Sequence, residues 1–407
     1  MADSLGSPPM ISLGDIREAQ GRVAAVLRPT PVEHSESLSA LAGRPVLLKP
    51  EHRQRTGSYK IRGAFNLISR LPAGTEVVAA SAGNHAQGVA FAATRTGHHA
   101  TVFMPANAAL PKVEATRGYG ATVLLEGAGV DECISAARAY AASVNAVLVP
   151  PFDDPLVIAG QGTVGLELAE EAPDVDVVVV PVGGGGLISG VATALAQTRR
   201  AVRVIGVQAA EASGVQASLR AGTCVRTETV TTMADGIAVR GPSELTLAHI
   251  QAYVDDVVTV SEEEISRALL LLIERSKAVV EPAGAVALAA ILAGHIPGAG
   301  AAVAILSGGN VDPLLLMKLI DHGLSAAGRY LLLRIVLGDR PGALALLTAE
   351  VARLNLNVLE VEHYRSGLRL GMHEVEVLLT LETRDADHRH SIVAALERAG
   401  YAVEVEA

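Results

Sequence analysis

Tryptophan is absent from this 407-residue sequence, and all aromatic residues together make up only 3% of it. Half of the chain is nevertheless hydrophobic. The core must therefore be built from Ala, Val, Leu and Ile, the residues of buried parallel strands and the helices that cover them. Cysteine is nearly missing too. Cys133 and Cys224 stand far apart, with no CxxC spacing or Cys/His ladder near either, which excludes a disulfide framework and offers no zinc signature. A reducing, cytoplasmic compartment is expected. Positive charge is in deficit, with a formal net charge of −10, so no basic face is available for phosphate backbones and nucleic acid is not an expected partner. The opening MADSLGSPPM has an acidic residue and two prolines where a signal peptide needs a basic stretch followed by an apolar run. The uncharged stretch 177–198 is about as long as a bilayer span. Pro181 and the glycine run 183–186 argue instead for a strand, a glycine loop and a helix, and no membrane partner is expected.

What is present is alternation. Short Val/Leu/Ile-rich runs at 45–49, 76–80, 100–104, 121–125, 176–180, 202–207 and 301–306 alternate with Ala-rich helical stretches, including 157–171, 187–198, 261–277 and 283–293. This is the pattern of βαβ units and a covered parallel sheet. The length allows two or three domains. After about residue 328 the order becomes strand (330–337), helix (341–354), strand (357–364), strand (374–382), helix (386–398), strand (401–406). That βαββαβ order is a ferredoxin-like α+β unit. The expected division is 1–328 and 329–407, joined at 325–328, with a smaller subdomain at about 50–150 inside the first part.

Four polar, glycine-bearing loops follow apolar strands, at the edge where open α/β sheets collect ligands. GGGGL (183–187) ends a strand and opens a helix, so its backbone N–H groups can converge on an anion. It lacks the Gly-Lys-Ser/Thr ending of a nucleotide P-loop and is not the GxGxxG of a dinucleotide fold. In RTGSYKIRGA (55–64), Thr56, Gly57 and Ser58 form a turn at a helix start, where the dipole disfavours an ammonium on Lys60. Most lysines are solvated surface charges, but a lysine of lowered pKa can form a Schiff base with an aldehyde. SAGNHAQG (81–88) supplies a hydroxyl, an amide and exposed N–H groups suited to a carboxylate, or else an ordinary helix cap. SGGN (307–310) is the fourth loop, and a plain glycine turn is its bland alternative.

The combination resembles the pyridoxal-phosphate enzymes of the tryptophan-synthase-β type, fold type II, and within them the threonine dehydratases. The similarity spans roughly 10–325 through TPVEHS, EHRQRTGSYKIRGA, SAGNHAQG, GQGTVGLE, PVGGGGL, ADGIAV, EPAGAVALAA and SGGNVD. It implies that Lys60 carries pyridoxal 5'-phosphate with Tyr59 flanking the ring, and that Asn84 bonds the phenolic oxygen. Gly183, Gly184, Gly185, Gly186 and Leu187 then cradle the phosphate, Ser307 faces the ring nitrogen, and Gly236 and Glu281 lie nearby. Ser81, Gly83, Asn84 and His85 take the substrate carboxylate. A serine at the ring nitrogen, unlike an acid, leaves the ring a weaker electron sink, which suits prompt loss of a β-hydroxyl. The implied reaction is β-elimination from L-threonine to 2-oxobutyrate and ammonia, or from L-serine to pyruvate, with Lys60 as base and the cofactor phosphate as acid.

Two positions depart from relatives of this type. Ala82 stands where racemases place a second serine, so racemisation is not expected. Gln208 stands where metal-binding relatives carry Glu, so no metal is assigned, and a monovalent ion is left open. The tail resembles an ACT domain through GDRPGAL (338–344) and LNLNVLEVEH (354–363), which implies an amino-acid effector, isoleucine or valine, near Asp339, Gly342 and Asn357. A dimerisation unit without ligand is the alternative. A homodimer or homotetramer is expected. Rival readings are a 3-hydroxyaspartate lyase on the same frame, a non-catalytic amino-acid sensor and a nicotinamide oxidoreductase. Intact Lys60, Asn84 and Ser307 speak against the sensor, and the missing GxGxxG against the oxidoreductase.

Overall fold

The protein is described by a computed structural model that covers residues 10–199, 201–326, 328–365 and 370–406. It divides into two compact units, Met1–Leu316 and Met317–Ala407. The division falls within the helix Pro313–Ala326. The expected joint at 325–328 therefore begins inside that helix, and its Ala327 lies outside the described residues.

The first unit holds two sheets, and the apolar runs supply their strands. The six-stranded sheet runs in the order Glu33–His34, Val46–Lys49, Ala302–Ile305, Val177–Pro181, Arg203–Ala209, Asp256–Val260. All neighbours are parallel except the first pair. The four-stranded sheet, ordered Thr122–Leu125, Ala100–Met104, Val77–Ala80, Val147–Leu148, is parallel throughout. Aliphatic side chains fill both cores, Val178, Val180, Ile188, Val204 and Val303 around the larger sheet and Ile61, Val77, Val89 and Val102 around the smaller. Central parallel strands are covered on both faces, which is why the strand Val177–Pro181 is buried at every position. Among the described residues no helix is long and apolar enough to cross a membrane.

Side-chain caps set several helix starts. Asp154 accepts from the N–H groups of Leu156 and Val157 and, with Pro155 at the first position, opens Pro155–Glu171. Ser261 and Glu264 form a capping box that opens Glu262–Leu271, with Glu262, Glu263 and Glu264 in the first turn. The helix expected at 261–277 keeps that extent, from its cap Ser261 to Lys277, which has φ 54°, but its last part, Leu272–Ser276, is a π turn.

The helix Lys60–Ile68 is pinned by buried charge. Arg62, with no accessible side chain, donates through Nε and Nη2 to Glu51 and through Nη1 and Nη2 to Glu167, and Nη1 also reaches the Thr163 hydroxyl. Buried Lys49 meets Glu167 at 2.7 Å and Glu171 at 3.0 Å. Burial alone would lower the Arg62 pKa, but the two carboxylates more than reverse that and raise it. The same helix lies against Pro155–Glu171 so closely that a Cβ on Gly160 would stand 2.4 Å from the Arg62 carbonyl oxygen.

The second unit is an antiparallel sheet in the order Val358–Tyr364, Glu374–Glu382, Tyr330–Gly338, Val403–Val405. Leu331, Leu333, Ile335, Val377 and Leu379 form its core with Leu347, Val351, Ile392 and Leu396 of the helices Ala343–Arg353 and Ala386–Arg398. This is the expected βαββαβ order. Removing one member of a buried charge network leaves its partners uncompensated, so Arg62→Ala should lower stability by ~3–5 kcal/mol, read as a fall in the denaturant midpoint of the full chain.

Candidate active site

A cavity of about 270 Å³ opens in the first unit. Its walls come from the carboxyl ends of strands in both sheets: Ser81 follows Val77–Ala80, the glycine run follows Val177–Pro181 and Ser307 follows Ala302–Ile305. Tyr59, Lys60, Ser81, Gly83, Asn84, His85, Gly183, Gly184, Gly185, Gly186, Leu187, Gly236, Glu281 and Ser307 all line it. Every cofactor and substrate position expected from the sequence is thus gathered in one place, although the positions span more than half of the chain.

Among the α-helices that begin at this cavity without a side-chain cap, two start from a glycine. Gly83 precedes Asn84–Thr96, and Gly185 precedes Gly186–Thr198; neither helix start receives a side-chain hydrogen bond. Ser81 is not the cap that the plain reading of SAGNH expected, since its hydroxyl accepts only from the N–H of Gly83, at 3.2 Å. Both starts thus present N–H groups and the positive end of a dipole to the cavity, which is a setting for anions. In the glycine loop, Gly185 has φ 94°, and a Cβ on Gly184 would fall 2.3 Å from the Phe152 ring. Only glycine leaves room for this backbone to approach a ligand.

Lys60 is the first residue of Lys60–Ile68, with Tyr59 at the N-cap and no side-chain cap. Ser58 Oγ accepts from the Lys60 N–H at 3.4 Å, and Thr56 and Gly57 are left-handed, at φ 64° and 72°. The amine donates to the Pro151 carbonyl at 2.9 Å and lies 5.1 Å from the centre of the Tyr59 ring. Its pKa falls to about 8, chiefly through burial, against an upward pull from Glu281. The lowering expected from the sequence is present, with burial as its main cause.

Asn84 is oriented from both ends of its amide. Nδ2 donates to Glu281 Oε1 at 2.6 Å, and Oδ1 accepts from Asn310 Nδ2 at 2.7 Å. Burial, then the Asp235 carboxylate, push Glu281 up to about 7, against Asn84, Lys112 and Lys60. His85 is held neutral: burial and the Lys60 charge lower it to about 3, and its Nε2–H donates to the Val149 carbonyl at 2.8 Å. Burial and Glu281 raise the Tyr59 hydroxyl.

Residues not singled out in the sequence also shape the site. Asn310 lies in the SGGN motif, where its amide had gone unassigned, and it also donates to the Thr56 carbonyl at 2.7 Å. Pro151 and Phe152 come from a loop with no glycine signal, and Lys112 and Asp235 meet only in three dimensions. Gln208 donates to the Ala212 carbonyl and accepts from the Gln216 N–H. Among the described residues no cluster of three or more His, Cys, Asp or Glu is placed to hold a metal ion.

The family model for pyridoxal-phosphate dependent enzymes matches residues 23–308. The chain belongs to that family. The relatives of this pyridoxal-phosphate enzyme include the L-threonine ammonia-lyase of Thermotoga maritima, 48% identical over 97% of this chain and 100% of the relative. That of Geobacter sulfurreducens is 46% identical over 96% of this chain and 98% of the relative. Among solved structures, a threonine deaminase from tomato, Solanum lycopersicum, in its processed form is 36% identical with TM-score 0.72, covering 77% of this chain and 90% of that one. The residues present fit the family's cofactor: an amine of lowered pKa for an aldehyde, and a side-chain-free helix start for a phosphate.

The positions expected to meet an effector are not brought together within one chain. Asp339 and Gly342 follow the strand Tyr330–Gly338, and Gly342 is the left-handed cap of Ala343–Arg353. Asn357 precedes the strand Val358–Tyr364, where its Nδ2 donates to Glu382 at 3.2 Å. The intervening helix carries the chain back, so the two strands run parallel and Asn357 lies at the other end of the sheet. There it lines a cavity of about 470 Å³ with Arg329, Thr383, Arg384 and His388.

Because only a neutral amine attacks an aldehyde, cofactor capture by the apoprotein should follow the Lys60 titration. Its rate should rise by about tenfold per pH unit below 8 and level off above, as the proton is lost. Stopped-flow absorbance after mixing with pyridoxal phosphate measures this.

Proposed function

We propose that this enzyme deaminates L-threonine to 2-oxobutyrate and ammonia, and L-serine to pyruvate. The observation that carries the proposal is the arrangement around Lys60: an amine of lowered pKa in one cavity with two uncapped helix starts that begin from glycine. The start at Gly186 takes the cofactor's phosphate and the start at Asn84 takes the substrate's carboxylate. The threonine ammonia-lyase relatives, which align along nearly the whole chain, support the same reading.

In this assignment the N–H groups of Gly183, Gly184, Gly185, Gly186 and Leu187 hold the phosphate, and Lys60 holds the aldehyde carbon. Tyr59 would flank the ring, Asn84 would donate to the phenolic oxygen, Ser307 would serve the ring nitrogen, and Gly236 and Glu281 would border the ring. Pyridoxal phosphate, when bound, supplies an electron-withdrawing ring that stabilises negative charge at the substrate's Cα. Ser81, Gly83, Asn84 and His85 orient the substrate carboxylate. His85 does so through its backbone N–H, because its neutral ring spends its one N–H on the Val149 carbonyl. The Lys60 amine, when free, would accept the Cα proton. Its lowered pKa keeps a useful fraction of the amine unprotonated near neutral pH. Glu281, with a pKa near 7, holds a proton for much of the time and so leaves the Asn84 amide with a weaker competitor. Ala82 offers no proton on its side of the cavity, which disfavours racemisation.

The tail is assigned as an amino-acid-sensing unit for isoleucine or valine that also pairs copies of the chain into a dimer or tetramer. An effector touching Asp339, Gly342 and Asn357 at once requires a second copy, because one chain holds them at opposite ends of its sheet.

The purified chain should be yellow, and borohydride should fix the chromophore on the peptide carrying Lys60. Among threonine, serine and 3-hydroxyaspartate, threonine should give the most keto acid. Lys60→Ala should lower its turnover at least about a thousandfold, the scale of a lost base and nucleophile; appreciable product from that variant would contradict the mechanism. For the tail, calorimetry on the full chain should show heat on adding isoleucine or valine, lost in Asp339→Ala and in Asn357→Ala. The linked change in activity should correspond to ~1–3 kcal/mol.

A further inference from the structure

Lys112 and Asp235 meet at the edge of the cavity, Nζ to Oδ2 at 2.6 Å. Lys112 lies in the helix Leu110–Gly118, which follows a strand of the four-stranded sheet. Asp235 opens the single turn Asp235–Ile237, which lies over the glycine run, since a Cβ on Gly183 would stand 3.1 Å from the Ile237 Cα. The two are 123 residues apart. Both side chains line the same cavity as Lys60, and Lys112 is the better covered, 21% exposed against 54% for Asp235. Their charges reach the interior, because Asp235 raises and Lys112 lowers the pKa of buried Glu281.

Deamination of threonine as assigned above uses neither side chain. Threonine presents a methyl group beyond its β-carbon, and 3-hydroxyaspartate presents a carboxylate there. Among the described residues lining the cavity, Lys112 is the cation other than Lys60 that could meet such a group, His85 being held neutral. Asp235 already engages it. A second substrate carboxylate would have to displace Asp235 and then lie beside its unpaired charge, and like-charge juxtaposition of this kind is a way to reject a partner.

We propose that the Lys112–Asp235 ion pair is a charge filter on the substrate side chain, favouring neutral β-hydroxy amino acids by withholding Lys112 from a second carboxylate. The inference rests on the deaminase reading. An ordinary rim ion pair, which contributes little, would have no bearing on which substrate is used.

The test uses the full chain with its cofactor. For wild type, Asp235→Asn, Asp235→Ser and Asp235→Asn/Lys112→Gln, kcat/KM is measured with L-threonine and L-threo-3-hydroxyaspartate, and calorimetry follows the binding of succinate, a dicarboxylate with no amine. Freeing Lys112 should raise the hydroxyaspartate-to-threonine ratio by about tenfold or more, the scale of one hydrogen bond to a charged group. It should also tighten succinate binding, and the double variant should lose both gains. An unmoved ratio in both single variants, or a gain that survives removal of Lys112, overturns the filter. A wild type that deaminates neither substrate overturns the deaminase reading instead, and the succinate arm then decides the filter by itself.

Discussion

The buried guanidinium of Arg62 is the constraint on which the site depends. A charge with no solvent access is tolerable only when its donors are matched, and here Nε, Nη1 and Nη2 all find acceptors on Glu51, Glu167 and Thr163. Those acceptors sit on a turn after the strand Val46–Lys49 and on the helix Pro155–Glu171. The network therefore fixes the Lys60 helix against two other elements, two residues away from the amine. The close helix contact at Gly160 adds a steric limit. Together they leave the lysine little freedom to swing out of the cavity, which is what a positioned nucleophile and base requires.

The cavity suppresses its own ionisation. Burial lowers Lys60 and His85 and raises Glu281, so each shift favours the neutral form. Positive potential comes instead from the N-termini of Asn84–Thr96 and Gly186–Thr198, which neither gain nor lose protons. An anionic ligand can thus be held firmly while the lysine stays available as a base. If the binding groups were lysines or arginines, their charges would compete with that availability or depress the amine too far.

The tail solves a different problem with the same aliphatic residues. Its sheet alternates buried and partly exposed positions, as in Tyr330–Gly338, because helices cover one face. Tyr330–Gly338 and Val358–Tyr364 both run antiparallel to Glu374–Glu382 between them, which puts the expected effector residues at opposite ends of the sheet.

Local rules made much of this protein legible in its sequence. Val-rich runs must be buried strands when aromatic residues are scarce, and glycine runs after them must be loops; the strand Ala100–Met104 and the helix Ala386–Arg398 have the bounds read from the sequence alone. Lys60, Asn84, Ser307 and the glycine run stood out because their chemistry is written in short motifs. The partners of those groups were decided only by tertiary structure. Pro151 accepts from Lys60, Asn310 and Glu281 orient Asn84, Phe152 closes the space above Gly184, and Lys112 finds Asp235. Nothing in residues so distant in sequence records that they will touch. Pairing of that kind depends on the order in which strands join a sheet, and one sequence read along its length does not contain that order in any local form.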